Sequence, residues 1–133
     1  MELVETESEW LIRLESAVVS LIGIDFRVTF TILDEMEGMN VIIESPFSLS
    51  GASGQPLIID PEATEELATI LRLFNREVRS ISAGKTGNLR VTFADGTVIR
   101  VEPDKLYEAW QVNLPTDKLI GGPGERVEHF QFS

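Results

Sequence analysis

The stretch Leu89 to Val101, LRVTFADGTVIRV, constrains the fold more than any other part of this chain. Leu89, Val91 and Phe93 alternate with Arg90 and Thr92, the period of a half-buried strand. Asp95-Gly96 signals a turn, and Thr97 to Val101 resumes the strand pattern. Register decides the loop length. A two-residue loop would pair Val91 with Arg100 and put an arginine on the apolar face. A three-residue loop, Ala94 to Gly96 with Gly96 left-handed, pairs Phe93 with Thr97, Val91 with Ile99 and Leu89 with Val101. The second leaves one face almost wholly apolar and is the register expected. It also sets Arg90 directly opposite Arg100 on the outer face, an unfavourable like-charge pair, with Glu102 on the same face two residues beyond Arg100. Arg90 and Arg100 are therefore candidates for holding a small anion or an acidic partner; a solvated Arg-Arg-Glu ladder is the plainer reading.

After the Pro103-Asp104 turn, Tyr107 to Leu114 reads as a strand. Trp110, Val112 and Leu114 share one face, and by parity Glu108 joins them. A carboxylate at the edge of an apolar face is costly unless it is hydrogen-bonded. It is then either a turn acceptor or a functional group, and Tyr107, Glu108 and Trp110 are the candidate ligand-binding set.

Two related β-meanders are expected, over about residues 17–46 and 77–103. Ala17 to Gly23 resembles Glu77 to Ala83. Val28-Thr29-Phe30 answers Val91-Thr92-Phe93, and Val41 to Pro46 answers Ile99 to Pro103. Local pattern at Trp10 to Ile22 suits a helix, with Thr6 and Glu9 as a capping box. The repeat favours strands instead, Trp10–Leu14 and Val18–Ile24, with a turn near Glu15-Ser16. One helix is expected over about 61–74. Asp60 would cap it, Pro61 would sit at its first position, and Leu67, Ile70, Leu71 and Phe74 would form a buried stripe. Leu71 or Phe74 to alanine should then cost on the order of 2–5 kcal/mol. Residues 1–9 read as a frayed acidic lead-in to a single α+β domain over 10–133, a largely antiparallel sheet covered by that helix. Lys118–Ile120 and Val127–Phe132 complete the sheet around the turn at Gly121 to Gly124.

Chemistry is mostly excluded. The chain has no cysteine, so disulfides, thiolate metal sites and thiol catalysis are ruled out. Asp34, Glu35 and Glu37 lack the spacing of a calcium loop, and Gly121 to Gly124 lacks the lysine and helix of a phosphate loop. His129, the one histidine, reads as an exposed edge-strand residue. No catalytic residue, metal or cofactor is expected. The net charge of −11 is uneven: residues 1–71 carry 14 acids and 2 bases, residues 72–133 carry 8 acids and 9 bases. Such acidity opposes nucleic-acid binding and suits a basic protein partner. The acidic N-terminus and the lack of a long apolar run suggest a cytoplasmic protein with no membrane role.

The motifs Ile43-Glu44-Ser45-Pro46-Phe47, Asp60-Pro61, Phe93-Ala94-Asp95-Gly96 and Tyr107-Glu108-Ala109-Trp110 with a later Pro-Gly turn resemble an uncharacterised family of small bacterial domains of unknown function. The chain departs from that pattern at Glu125, Phe130 and Ser16. The resemblance implies a bacterial origin and no particular activity. The function expected is a non-enzymatic interaction module, of the kind that neutralises a basic toxin. The alternative is a small-ligand binder or weak hydrolase at Tyr107, Glu108 and Trp110. Self-association through the His129 strand is a further expectation.

Overall fold

The computed structural model describes residues 1–132, apart from the side chain of Thr64. Twelve strands are found among the described residues: β1 (Glu2–Glu5), β2 (Glu9–Ile24), β3 (Val28–Asp34), β4 (Glu37–Ile43), β5 (Phe47–Ser50), β6 (Leu57–Ile59), β7 (Glu77–Gly84), β8 (Leu89–Phe93), β9 (Val98–Val101), β10 (Trp110–Asn113), β11 (Asp117–Gly121) and β12 (Val127–Gln131). All pair antiparallel, in the order β12-β11-β10-β4-β3-β2-β7-β8-β9-β5-β6, with β1 beside the first half of β2.

This order is nearly a palindrome. Exchanging β2 with β7, β3 with β8, β4 with β9, β5 with β10 and β6 with β11 reproduces it. Each half of the chain builds a three-stranded meander and then sends its fourth strand across to the other half. β5 pairs with β9, Leu49 facing Ile99, and β10 pairs with β4, Val112 facing Val41. A bulge recurs in the same place, at Ser20 in β2 and at Arg79 in β7. These bulges and rungs refine the sequence correspondence: Val19 matches Val78, Phe30 matches Val91 and Ile32 matches Phe93. The first of these differs by one residue from the sequence match of Val18 with Val78. One residue changes the face, and it is Val19, not Val18, that is buried.

The two arms of the sheet, on either side of β2 and β7, pack face to face. Phe30, Ile32 and Val41 of one arm meet Val91, Phe93 and Ile99 of the other. Alternation along each strand supplies this core: Val28, Phe30 and Ile32 point in while Thr29 and Thr31 point out.

The 89–101 hairpin has the expected register. Arg90 faces Arg100, Val91 faces Ile99, Phe93 N–H donates to Thr97 O at 2.8 Å, and Gly96 is left-handed with φ +93. The α+β expectation is overturned. The helical segment is one α-turn, α1 (Thr64–Leu67), continuing as a 3-10 helix from Ala68 to Leu73. With 3.0 residues per turn the buried stripe is Leu67, Ile70 and Leu73, while Leu71 and Phe74 are 55% and 56% exposed. Asp60 caps no helix: it closes a turn, its Oδ1 accepting from Glu62 N–H at 2.9 Å. The protein is an antiparallel all-β fold with a short helical plug.

The lead-in is also corrected. Glu2–Glu5 is a strand, and Thr6 closes the hairpin to β2 through its N–H and hydroxyl to Glu9 O at 2.8 and 3.1 Å. β2 runs unbroken through Glu15-Ser16, with a register shift against β7 between Arg13 and Ala17 in place of a turn.

Candidate functional site

The two crossover connections, 44–46 after β4 and 102–109 after β9, run side by side. Glu44 N–H and Ser45 N–H both donate to Ala109 O, at 2.9 and 3.3 Å. Because β10 takes the edge of β4 in this way, β5 has no place beside its own meander and must cross. The irregular backbone at this crossing leaves a surface depression of about 610 Å³, lined by Glu44, Ser45, Pro46, Glu62, Asp104, Leu106, Tyr107, Glu108 and Pro123.

Asp104 shapes the rim. Its Oδ1 accepts from Leu106 N–H at 2.8 Å and Tyr107 N–H at 3.1 Å, which turns the chain and points Leu106 and Tyr107 outward, 74% and 70% exposed. Glu44, Glu62 and Glu108 are exposed around them. None of the four carboxylates has a cationic partner within 4.0 Å among the described residues. The site is thus a negatively charged hollow with two unburied apolar side chains at its lip.

The candidate set Tyr107, Glu108 and Trp110 is split by the structure. Trp110 is 0% exposed, and its Nε1 donates to Gly87 O at 2.8 Å. Gly121 lies against the indole so closely that a Cβ there would stand 2.2 Å from the ring. Tyr107 and Glu108 are in the loop before β10, so the parity that joined Glu108 to Trp110 fails. The Asp104 turn keeps the chain out of strand geometry until residue 110. Arg90 and Arg100 are where register predicted, exposed and adjacent on the outer face of β8 and β9, away from Trp110's interior face. Glu102 shares a shallow depression with Arg100 but forms no ion pair with either arginine within 4.0 Å.

Sequence reading missed Glu44, Glu62 and Leu106, which reach the hollow only through the crossover; the Glu-Ser-Pro and Glu-Pro strings ending the two meanders were the available signal. It also misread His129. That ring is half-buried, 4.4 Å between centroids from Trp10, with Nε2 2.7 Å from Asp117 Oδ2. Asp117 Oδ1 accepts from Thr116 Oγ1 at 2.6 Å. The Thr116 hydroxyl, then His129, hold the Asp117 carboxyl below the ordinary range. Lys85 lies over Trp10, 5.1 Å from its centroid, and pairs with Glu5. This cluster joins β12 to β2 and the β7–β8 turn.

The fold and hollow define an antiparallel β-protein with an acidic surface depression at its strand crossover. The chain belongs to the family of unknown function DUF6188, whose sequence model matches residues 10–131. No curated protein and no solved structure matches it. No helix among the described residues is long and apolar enough to cross a membrane.

Proposed function

We propose that this protein is a non-enzymatic interaction module that docks a basic protein partner in the hollow at the crossover. The observation that carries this reading is the combination at one place of four carboxylates with no cationic partner within 4.0 Å among the described residues, Glu44, Glu62, Asp104 and Glu108, with exposed Leu106 and Tyr107. Carboxylates set orientation and association rate for a cationic partner, while an exposed aromatic and an aliphatic side chain supply apolar area to bury. The uneven charge of the chain adds long-range attraction of the same sign. A bacterial cytoplasmic protein that neutralises a basic toxin fits this chemistry. We also read the two meanders as copies of one unit, supported by the palindromic strand order and the shared bulge.

A hydrolase or small-ligand cleft at Tyr107, Glu108 and Trp110 has less support, because the indole lies in the core. Affinity capture from the native host with wild type and with E44Q/E62Q/E108Q tests the docking reading. Asp104 is kept in that variant because it holds the loop. The expected result is a basic protein bound stoichiometrically by wild type, released by salt, and lost in the variant. Identical capture by both proteins, or a plain monomer with no partner, would overturn it.

A further inference from the structure

Arg90 and Arg100 face each other across β8 and β9, and neither has a carboxylate within 4.0 Å among the described residues. The same rung continues to Ser82 on β7, opposite Arg90, and to Ser48 on β5, opposite Arg100. Four neighbouring strands thus present Ser82, Arg90, Arg100 and Ser48 in one row on the outer face, with adjacent strands about 4.8 Å apart. Arg100 Nη1 also reaches Ser50 Oγ at 3.5 Å. The charged groups around the row include Glu102, one pleat beyond Arg100, Arg13, opposite Ser80 on one neighbouring rung, and Glu9, opposite Gly84 on the other.

The molecule contains its own control for this row. The exchange that maps one half onto the other places Gly23, Thr29, Ile42 and Gln111 at the corresponding rung of β2, β3, β4 and β10. That rung carries no charge, so the fold requires no arginine there. Two directly opposed arginines cost stability at the site itself. Their side chains make no ion pair that would offset the cost.

We propose that the Ser82-Arg90-Arg100-Ser48 row binds a phosphate group. A carboxylate has two oxygens and is satisfied by one guanidinium fork. Two adjacent forks flanked by hydroxyls match the larger charge and the additional oxygens of a phosphate. The site is flat, so the group is either free phosphate or a phosphorylated side chain of a protein, and the two sources are separable. The depression at Arg100 borders the acidic hollow at Pro46, but the row and the hollow use different side chains, so each reading can fail without the other.

The test is an amide NMR titration of the full chain with inorganic phosphate and with a phosphoserine peptide, each against chloride at matched ionic strength. Saturable shifts confined to Ser48, Ser82, Arg90, Arg100 and their neighbours are expected with phosphate and absent with chloride. The phosphoserine peptide binding more tightly than inorganic phosphate would assign a protein source, and the reverse a free ion. R90T/R100I installs the residues of the other arm. It should keep the fold at undiminished stability and weaken binding by about tenfold or more. R90K/R100K, which keeps charge but loses the forks, should fall between. Shifts that track ionic strength alone, that persist in R90T/R100I, or an R90T/R100I chain that no longer folds would each overturn the proposal.

Discussion

The two halves of this chain solve one packing problem in two ways. At the rung where each exchanged strand starts, Phe47 on β5 faces Ile59 on β6, whereas Trp110 on β10 faces Gly121 on β11. Two middle-sized side chains fill the space in one half, and one large side chain over a glycine fills it in the other. Phe47, Ile59 and Trp110 are all essentially buried. A large side chain beside a glycine and two side chains of closer size are alternative ways to close the same rung. The halves then diverge where closure begins. After β6 the chain forms the 3-10 plug with Leu67, Ile70 and Leu73 inside; after β11 it forms β12 and brings His129 onto Trp10. Their outer faces diverge as well, Arg90 and Arg100 against Thr29 and Ile42. Shared positions hold the scaffold, and unshared positions carry the closure and the two proposed binding surfaces.

The comparison breaks most sharply at its large-small rung. Trp110→Ala should cost about 3–5 kcal/mol in chemical denaturation, and Phe47→Ala a similar amount. Gly121→Ala should cost more than a surface change, about 1–3 kcal/mol, because the new methyl meets the indole. Pairing it with Trp110→Phe should recover part of that loss. Simple addition of the two penalties would deny that the rung shares one volume.

The plug gives the next largest effect. Ile70→Ala or Leu73→Ala should cost about 2–5 kcal/mol, and Leu71→Ala less than about 1 kcal/mol. An α-helical segment would reverse the order of Leu71 and Leu73, so one pair of melts distinguishes period three from period 3.6.

The smallest effect concerns the β12 closure. Hydrogen bonds from the Thr116 hydroxyl and His129 lower the Asp117 pKa. A carboxyl with a depressed folded value contributes stability that is present above its unfolded value, near 3.9, and is lost as pH falls through the folded value. Asp95 is lowered too, chiefly by Thr97 N–H, at 2.9 Å from its Oδ1, with Arg76 adding a smaller part. Asp117→Asn should therefore lower stability at neutral pH. Its curve should converge with wild type in strong acid, read as unfolding midpoint against pH.

Legibility in the sequence followed range. The 89–101 hairpin was readable to the residue because parity, a turn signal and one intolerable arginine all act within a dozen positions. The 64–73 segment was misread because Leu67, Ile70, Leu71, Leu73 and Phe74 satisfy both helical periods at once, and burial by the sheet selected the tighter one. The exchange of β5 and β10 was not readable at all. A three-residue link at 44–46 looks like a hairpin connection, and it is the pairing of β10 along β4, extended by Glu44 and Ser45 N–H donating to Ala109 O, that forbids it. The same long-range pairing hid Glu44 and Glu62 from the candidate site, while Tyr107 and Glu108, adjacent in sequence, were found.

The exchange of fourth strands is therefore the claim on which both the hollow and the internal control for Arg90 and Arg100 rest. The chain lacks cysteine, so paired cysteines report it cleanly. Ile42 and Gln111 are direct partners across β4 and β10 on the outer face, at a separation of about 4.5–5.5 Å that a disulfide spans. Under mild oxidation I42C/Q111C should form an intramolecular disulfide and I42C/S48C should retain free thiols by mass spectrometry. A disulfide in I42C/S48C, with free thiols in I42C/Q111C, would place β5 beside its own meander and contradict the account.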